Sequence, residues 1–141
     1  MHRVLRERAR SSQRGAAAVE FALILVPLCM ILFGIINFGD ILGARQSVSQ
    51  AAAEGARAGA VSQKASDADK AAEALAAARE TLKTQGESCT SECKAEVKPC
   101  DSAAYDCVWV TVVVDHPALV PGFSFGFGGE LTYTASARVS D

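Results

Sequence analysis

The stretch RGAAAVEFALILVPLC, residues 14–29, opens the chain's one long apolar segment and decides how the rest of the sequence is read. From Phe21 to Ile36 no side chain is charged. With Ala16 to Val19 and Phe38 the run reaches about twenty residues, the length that crosses a hydrocarbon layer of ~30 Å. The residues before it are basic. Arg3, Arg6, Arg8, Arg10 and Arg14 stand against the single acid Glu7, so the head is positive while the whole chain of 141 residues has a formal charge of −2. By itself a basic head either binds nucleic acid or holds a membrane helix on its cytoplasmic side. Followed by an apolar run of this length, it reads as the anchor. The remainder of the chain then faces outward, membrane lipid is a partner, and nucleic acid is not.

Glu20 is the anomaly in that stretch. One reading places its carboxylate at headgroup level, within reach of water or Arg14, where the cost is well under the roughly 2.5–3.5 kcal/mol of a charge at a helix centre. The other reading starts from Gly15, which directly precedes the apolar run. A cut after Gly15 would give Ala16 a new α-amino group and make Glu20 the fifth residue of the shortened chain. In an assembly of parallel helices, that amine and a neighbour's carboxylate meet where a paired charge is far cheaper than a lone one.

Helical character continues past the apolar run. No proline occurs from Asn37 to Val61, and Ile41, Ala44, Val48, Ala51, Ala52, Gly55, Ala58 and Gly59 recur at three- and four-residue steps. One continuous helix from about Ala16 to Val61 is expected, with a bend or local loosening near Pro27. Gly39 and Gly43, and Gly55 and Gly59, have the spacing that lets helices approach closely, although such spacing is common by chance in an alanine-rich helix. Ser66 reads as the N-cap of a second helix, with Asp67 and Asp69 in its first turn, Ala68, Ala71, Ala72, Leu75, Ala78 and Leu82 as its apolar face, and Gly86 at its end.

Glu87 to Asp106 is polar, carries cysteines and Pro99, and reads as loop. Cys107–Val114 is β-branched and aromatic, and Leu131–Val139 alternates apolar and polar, so both read as strands. Phe123, Phe125 and Phe127 alternate between them, either as a docking or membrane-surface patch or folded back over the sheet. Two strands alone are marginal and need the helices as a backing layer. The fold class is therefore α+β: a long N-terminal helix, a second helix and a small antiparallel sheet of two to three strands. The chain divides into a basic leader at 1–15, the long helix at 16–61 and an outward domain at 62–141.

Cys89, Cys93, Cys100 and Cys107 cluster in that domain, whereas Cys29 lies in the apolar run. In an oxidising compartment the four suggest two disulfides, with three connectivities open. A zinc site is the rival, but it usually needs two close C-x-x-C pairs, and the spacings here are wider. Nothing in the sequence makes a catalytic constellation. His116, beside Pro117, reads as a solvated turn residue. No enzyme activity, cofactor or metal is expected.

The stretch from Arg14 to Leu28 together with FGIINFGDILGARQSVSQAAAEGARAGA, residues 33–60, closely resembles the TadE-like pseudopilins of the tight-adherence (Flp, type IVb) pilus. The resemblance falls on Arg14, Gly15, Val19, Glu20, Phe21, Pro27, Phe38, Gly39, Arg45, Gln46, Glu54, Gly55, Ala56 and Arg57. It covers about 45 residues, a third of the chain. The closing LTYTASARV also looks like the end of such proteins, and the cysteine-bearing middle does not match. The resemblance implies cleavage by a prepilin peptidase between Gly15 and Ala16, an assembly role for Glu20 and Phe21, and partners among pilins, pseudopilins and inner-membrane platform proteins. It also implies a single-pass location in the cytoplasmic membrane. The alternative is an anchored extracytoplasmic binding or adhesion module whose N-terminus is never cut.

Overall fold

The computed structural model describes residues 2–101, 105–120 and 128–140, with side chains described from Gly15 onward. Among the described residues five elements follow in order: α1 (His2–Ala60), α2 (Asp67–Thr84), β1 (Lys94–Pro99), β2 (Asp106–His116) and β3 (Gly129–Arg138). The fold is α+β, as the sequence implied, with both helices backing an antiparallel meander in the order β1-β2-β3.

Helix α1 begins before Ala16, so the Gly15–Ala16 peptide lies inside the helix rather than at its edge. The residues upstream are mostly good helix formers without proline, and one glycine costs a helix only about 1 kcal/mol. The helix also continues through Pro27. Its C-terminal half is packed. Ile41, Ala44, Val48, Ala51, Ala52, Gly55 and Gly59 are buried as their spacing predicted, joined by Ala56 and Ala60, while Ala58 is only half-buried.

Helix α2 is bounded by two local devices. The Ser66 hydroxyl accepts the Asp69 amide at 3.1 Å, which satisfies one orphan donor of the first turn. At the other end Gly86 adopts φ +81°, a conformation that costs a glycine little. The Gly86 and Glu87 amides then turn back to the carbonyls of Lys83 and Leu82, the paired pattern of a Schellman ending. The buried residues of α2 are Ala74, Ala78 and Leu82, with Ala71 and Leu75 half-buried. Ala68 and Ala72, expected on the inner face, are exposed. An alanine stripe carries too little apolar weight to fix its own phase; the four-residue ladder ending at Leu82 does so here.

The segment expected to be loop contains β1, an edge strand that ends at Pro99, where the missing amide is tolerated. Ala95 and Val97 pair with Val110 and Val108 of β2, and Leu131, Ala135 and Ala137 of β3 pair with Val114, Val110 and Val108. Directly opposed residues share a face of the sheet. That face, centred on the fully buried Val108, Val110, Val112 and Val114, meets the helices. The opposite face carries Trp109, with the Lys98 ammonium 4.9 Å from its ring centre, and a hydrogen bond between the Thr111 and Thr134 hydroxyls. Beyond β3, the Ser140 amide and hydroxyl both reach the Ala60 carbonyl at 3.1 Å, satisfying an acceptor at the end of α1.

The two glycine pairs of α1 differ sharply. A Cβ on Gly59 would lie 2.7 Å from the Cβ of Ala74 and 2.9 Å from Val108 Cγ1, and one on Gly55 would lie 2.7 Å from the Ala74 carbonyl oxygen. At Gly39 and Gly43 a Cβ would meet nothing among the described residues. The Gly55 and Gly59 pair therefore sets how closely α1 approaches α2 and the sheet. We expect Gly59→Ala to incur an overpacking cost of about 1–3 kcal/mol, offset in part by up to about 1 kcal/mol of helix propensity. Gly43→Ala should show only the propensity gain. Thermal unfolding of the full chain in detergent, with melting temperatures compared across wild type and both variants, checks the ordering.

Candidate functional site

The packed and bare parts of α1 meet near Asn37. On the N-terminal side, among the described residues, Val19, Phe21, Leu23, Ile24, Val26, Ile31 and Ile35 are each more than 60 % exposed. From Gly15 to Ala60 the helix is long and apolar enough to cross a membrane, and its most apolar window is wholly unburied. At 1.5 Å per residue this part is roughly 70 Å long, so the bare section can span a bilayer while the packed section holds the domain outside it. One long apolar N-terminal helix of this kind is what a single-pass anchor requires.

The candidate residues of the sequence lie on this bare section. Gly15, Ala16, Glu20 and Phe21 are all exposed, and a Cβ on Gly15 would touch nothing. Ala16 and Glu20 are four residues apart, so they share a face of the helix. Glu20 has no hydrogen-bond or ion-pair partner among the described residues, and the side chain of Arg14, its suggested neighbour, lies outside them. Cys29 is a free thiol on the same section. Arg45 and Gln46 lie further along, exposed, on a groove of about 530 Å³ between α1 and β3 that Leu131 and Tyr133 also line. Phe123, Phe125 and Phe127 fall outside the described residues.

Where the helix leaves the domain, polar side chains hold the two together. Asn37 is almost fully buried; its Nδ2 donates to the Phe33 carbonyl at 3.1 Å, and its Oδ1 accepts the Val120 amide at 3.1 Å. One turn on, Asp40 Oδ2 lies 2.8 Å from Nε2 of His116, and the other ring nitrogen, Nδ1, lies 2.9 Å from Glu87 Oε1. His116 is thus no solvated turn residue. The three side chains come from α1, the link after α2, and the end of β2, a juxtaposition that no local spacing announces. Asn37 left one trace in the sequence, as the lone amide in an apolar run, and it stands three residues before Asp40 on the same helical face.

The cysteine segment is closed by two bridges. The structure pairs Cys89 with Cys93 and Cys100 with Cys107, with Cα separations of 5.9 and 5.2 Å, both within the range a disulfide needs. Cys93 is buried, and its sulfur accepts the Val113 amide at 3.2 Å. The Cys100–Cys107 bridge ties the end of β1 to the start of β2. No cluster of metal-ligating residues occurs among the described residues.

Residues 15–57 match the family model described as TadE-like protein. This part of the chain is similar to that family, in agreement with the resemblance carried by its residues. The match begins at the bare section of α1 and ends within the packed section, so α2 and the sheet lie outside it. No curated protein and no solved structure matches the chain.

Both bridges close short loops, with sequence separations of 4 and 7, so each should contribute less than the ~3 kcal/mol of chain entropy estimated for a fifteen-residue loop. Their effect is local, holding a segment with few large apolar side chains. We expect alkylation of the unreduced, denatured protein to add one label, at Cys29, and alkylation after reduction to add five. Intact mass separates these results, and five labels before reduction would rule the bridges out.

Proposed function

We propose that this protein is a TadE-like minor pseudopilin that takes part in assembly of the tight-adherence (Flp) pilus through contacts of its N-terminal helix. The observation that carries the reading is that the family match starts on the part of α1 that its own domain leaves uncovered. A row of exposed large apolar side chains far exceeds the few hundred Å² that soluble monomers usually leave open. Lipid covers such a surface, and so does the equivalent helix of another pilin or pseudopilin. On this reading the protein is a structural and interaction component, not an enzyme. The helix sits in the cytoplasmic membrane with the basic head inside, and the α+β domain stands on the outer side.

Processing follows from the same reading. The prepilin peptidase cuts between Gly15 and Ala16, after that part of the helix has unwound to give it an extended substrate. Glycine is the residue whose backbone makes this unwinding cheapest. The new α-amine of Ala16 then finds its counter-charge in Glu20 of a neighbouring subunit, with Phe21 beside it in the helix contact. Inner-membrane platform proteins receive the same helical surface.

Glu20→Gln tests this directly. Removing a charge makes the segment more compatible with lipid, so insertion should persist, and cleavage after Gly15 should be largely unchanged. The lost pairing leaves the amine unmatched. An uncompensated buried charge costs about 3–5 kcal/mol, and less near the headgroups, while even ~1.4 kcal/mol is a tenfold loss in association. We therefore expect few surface pili in a strain carrying only this variant, at normal protein level and with intact mass showing a chain that starts at Ala16. Normal piliation would reduce Glu20 to a tolerated surface charge. An uncut leader in wild-type cells that contain the peptidase would favour the anchored binding module instead.

A further inference from the structure

The ring of His116 is held between two carboxylates, one at each nitrogen. Nε2 faces Asp40 Oδ2 at 2.8 Å and Nδ1 faces Glu87 Oε1 at 2.9 Å. A neutral imidazole has one N–H and one lone pair, so it can donate to only one of them and must turn a lone pair toward the other. Only the imidazolium donates at both ends, with two charge-assisted bonds. The partners are set by the fold. Asp40 stands on α1 one turn beyond Asn37, and Glu87 is the residue after Gly86, whose left-handed turn and returning amides end α2.

We propose that the Asp40–His116–Glu87 cluster is a proton-operated clamp between the domain and the apolar helix that leaves it. With His116 charged, α1, the link after α2 and the end of β2 are fastened as one unit. With His116 neutral, one carboxylate must be released. The side chain of Asp40 is 33 % exposed and that of Glu87 only 17 %, so water can take over Asp40 more readily. The neutral ring therefore keeps Glu87 and lets go of the helix. The Asn37–Val120 bond, four residues beyond His116, is then the next tie between helix and domain to weaken.

The elements packed around the ring carry two further acids and one base. Asp115 precedes it on β2, and Glu130 lies opposite Asp115 on β3. Both are acidic, and both are exposed. Arg45 of α1 lies with Glu130 along the adjacent groove. Burial opposes a charge on His116, but the hydrogen bonds and negative charges of Asp40 and Glu87 outweigh it and hold the ring above its ordinary value of 6.5. For a group raised on folding, the stabilisation is complete below the unfolded value and is lost as pH rises through the folded one. The clamp is thus closed in mild acid and opens on the alkaline side.

The inference does not rest on the pilus reading, and the full chain in detergent micelles tests it. With ¹³C-labelled histidine the chain gives two ring signals, and His116→Asn identifies the second by removing it. We expect the His116 midpoint to lie above 6.5 in wild type, and Asp40→Asn and Glu87→Gln each to lower it by about one unit. Hydrogen exchange supplies the conformational readout. Corrected for its intrinsic pH dependence, protection of the Val120 amide should be lost as pH crosses the His116 midpoint. That of the Ser140 amide, bonded to Ala60 at the far end, should persist. A wild-type midpoint at or below 6.5, or Val120 protection that ignores the titration while Ser140 stays protected, overturns the proposal. The wild-type titration decides the matter even if His116→Asn does not fold.

Discussion

The architecture depends on the contact between α1 and α2 at Gly55 and Gly59. Neither position leaves room for a Cβ: the backbone and methyl of Ala74, the methyl of Ala78, and the valines of β2 already fill that space. The absence of two side chains brings two alanine-rich helices close enough to lie together on one face of a three-stranded sheet. Apolar stabilisation scales with area removed from water, about 25 cal/mol per Å², and small side chains supply little area each. Close approach compensates by putting backbone and methyl groups in dispersion contact. A domain with Leu82 and a row of valines as its largest fully buried side chains has little else to draw on, which gives two short disulfide loops their place in the cysteine segment.

The same contact divides α1. The helix that is wholly buried at Ala51 and Ala52 is bare at Phe21 and Leu23. Within a bilayer this is a consistent arrangement, since a helix satisfies its own backbone groups and lipid removes its apolar side chains from water. The bare section carries one residue out of character, Glu20, close to its N-terminal end, where the cost of a charge is smallest.

Much of this was legible in the sequence because it rests on local signals. Period and length gave α1 its apolar and small-residue sections, Ser66 and Gly86 bounded α2, and β-branched runs gave β2 and β3. The features that were not legible are those fixed by partners distant in sequence. Strand β1, KAEVKP, is short and polar, and only Ala95 and Val97 mark its inner face; it becomes a strand by pairing with β2. The phase of α2 was misread because exposed Ala68 and buried Ala74 differ in position and not in chemistry. Gly55-x-x-x-Gly59 and Gly39-x-x-x-Gly43 have the same spacing, yet only the first pair meets another element. His116 shows only a neighbouring proline along the chain, and its meaning comes from Asp40 and Glu87, 76 and 29 residues away.

The polar joint at Asn37, Asp40, Glu87 and His116 does what an apolar interface of small residues does poorly. The core supplies close packing of methyl groups and valines, and the joint adds directional contacts to it. Hydrogen bonds are directional and are costly to leave unmade when buried, so Asn37, paired to both Phe33 and Val120, admits one register. The charged cluster adds a second constraint one turn away, and two constraints fix an orientation where one fixes only a position. Because the joint sits where the helix passes from domain to bare section, a small rotation there is carried along the whole length of the exposed helix. The side chains that set the register are therefore also those that set how the bare helix is carried relative to the domain.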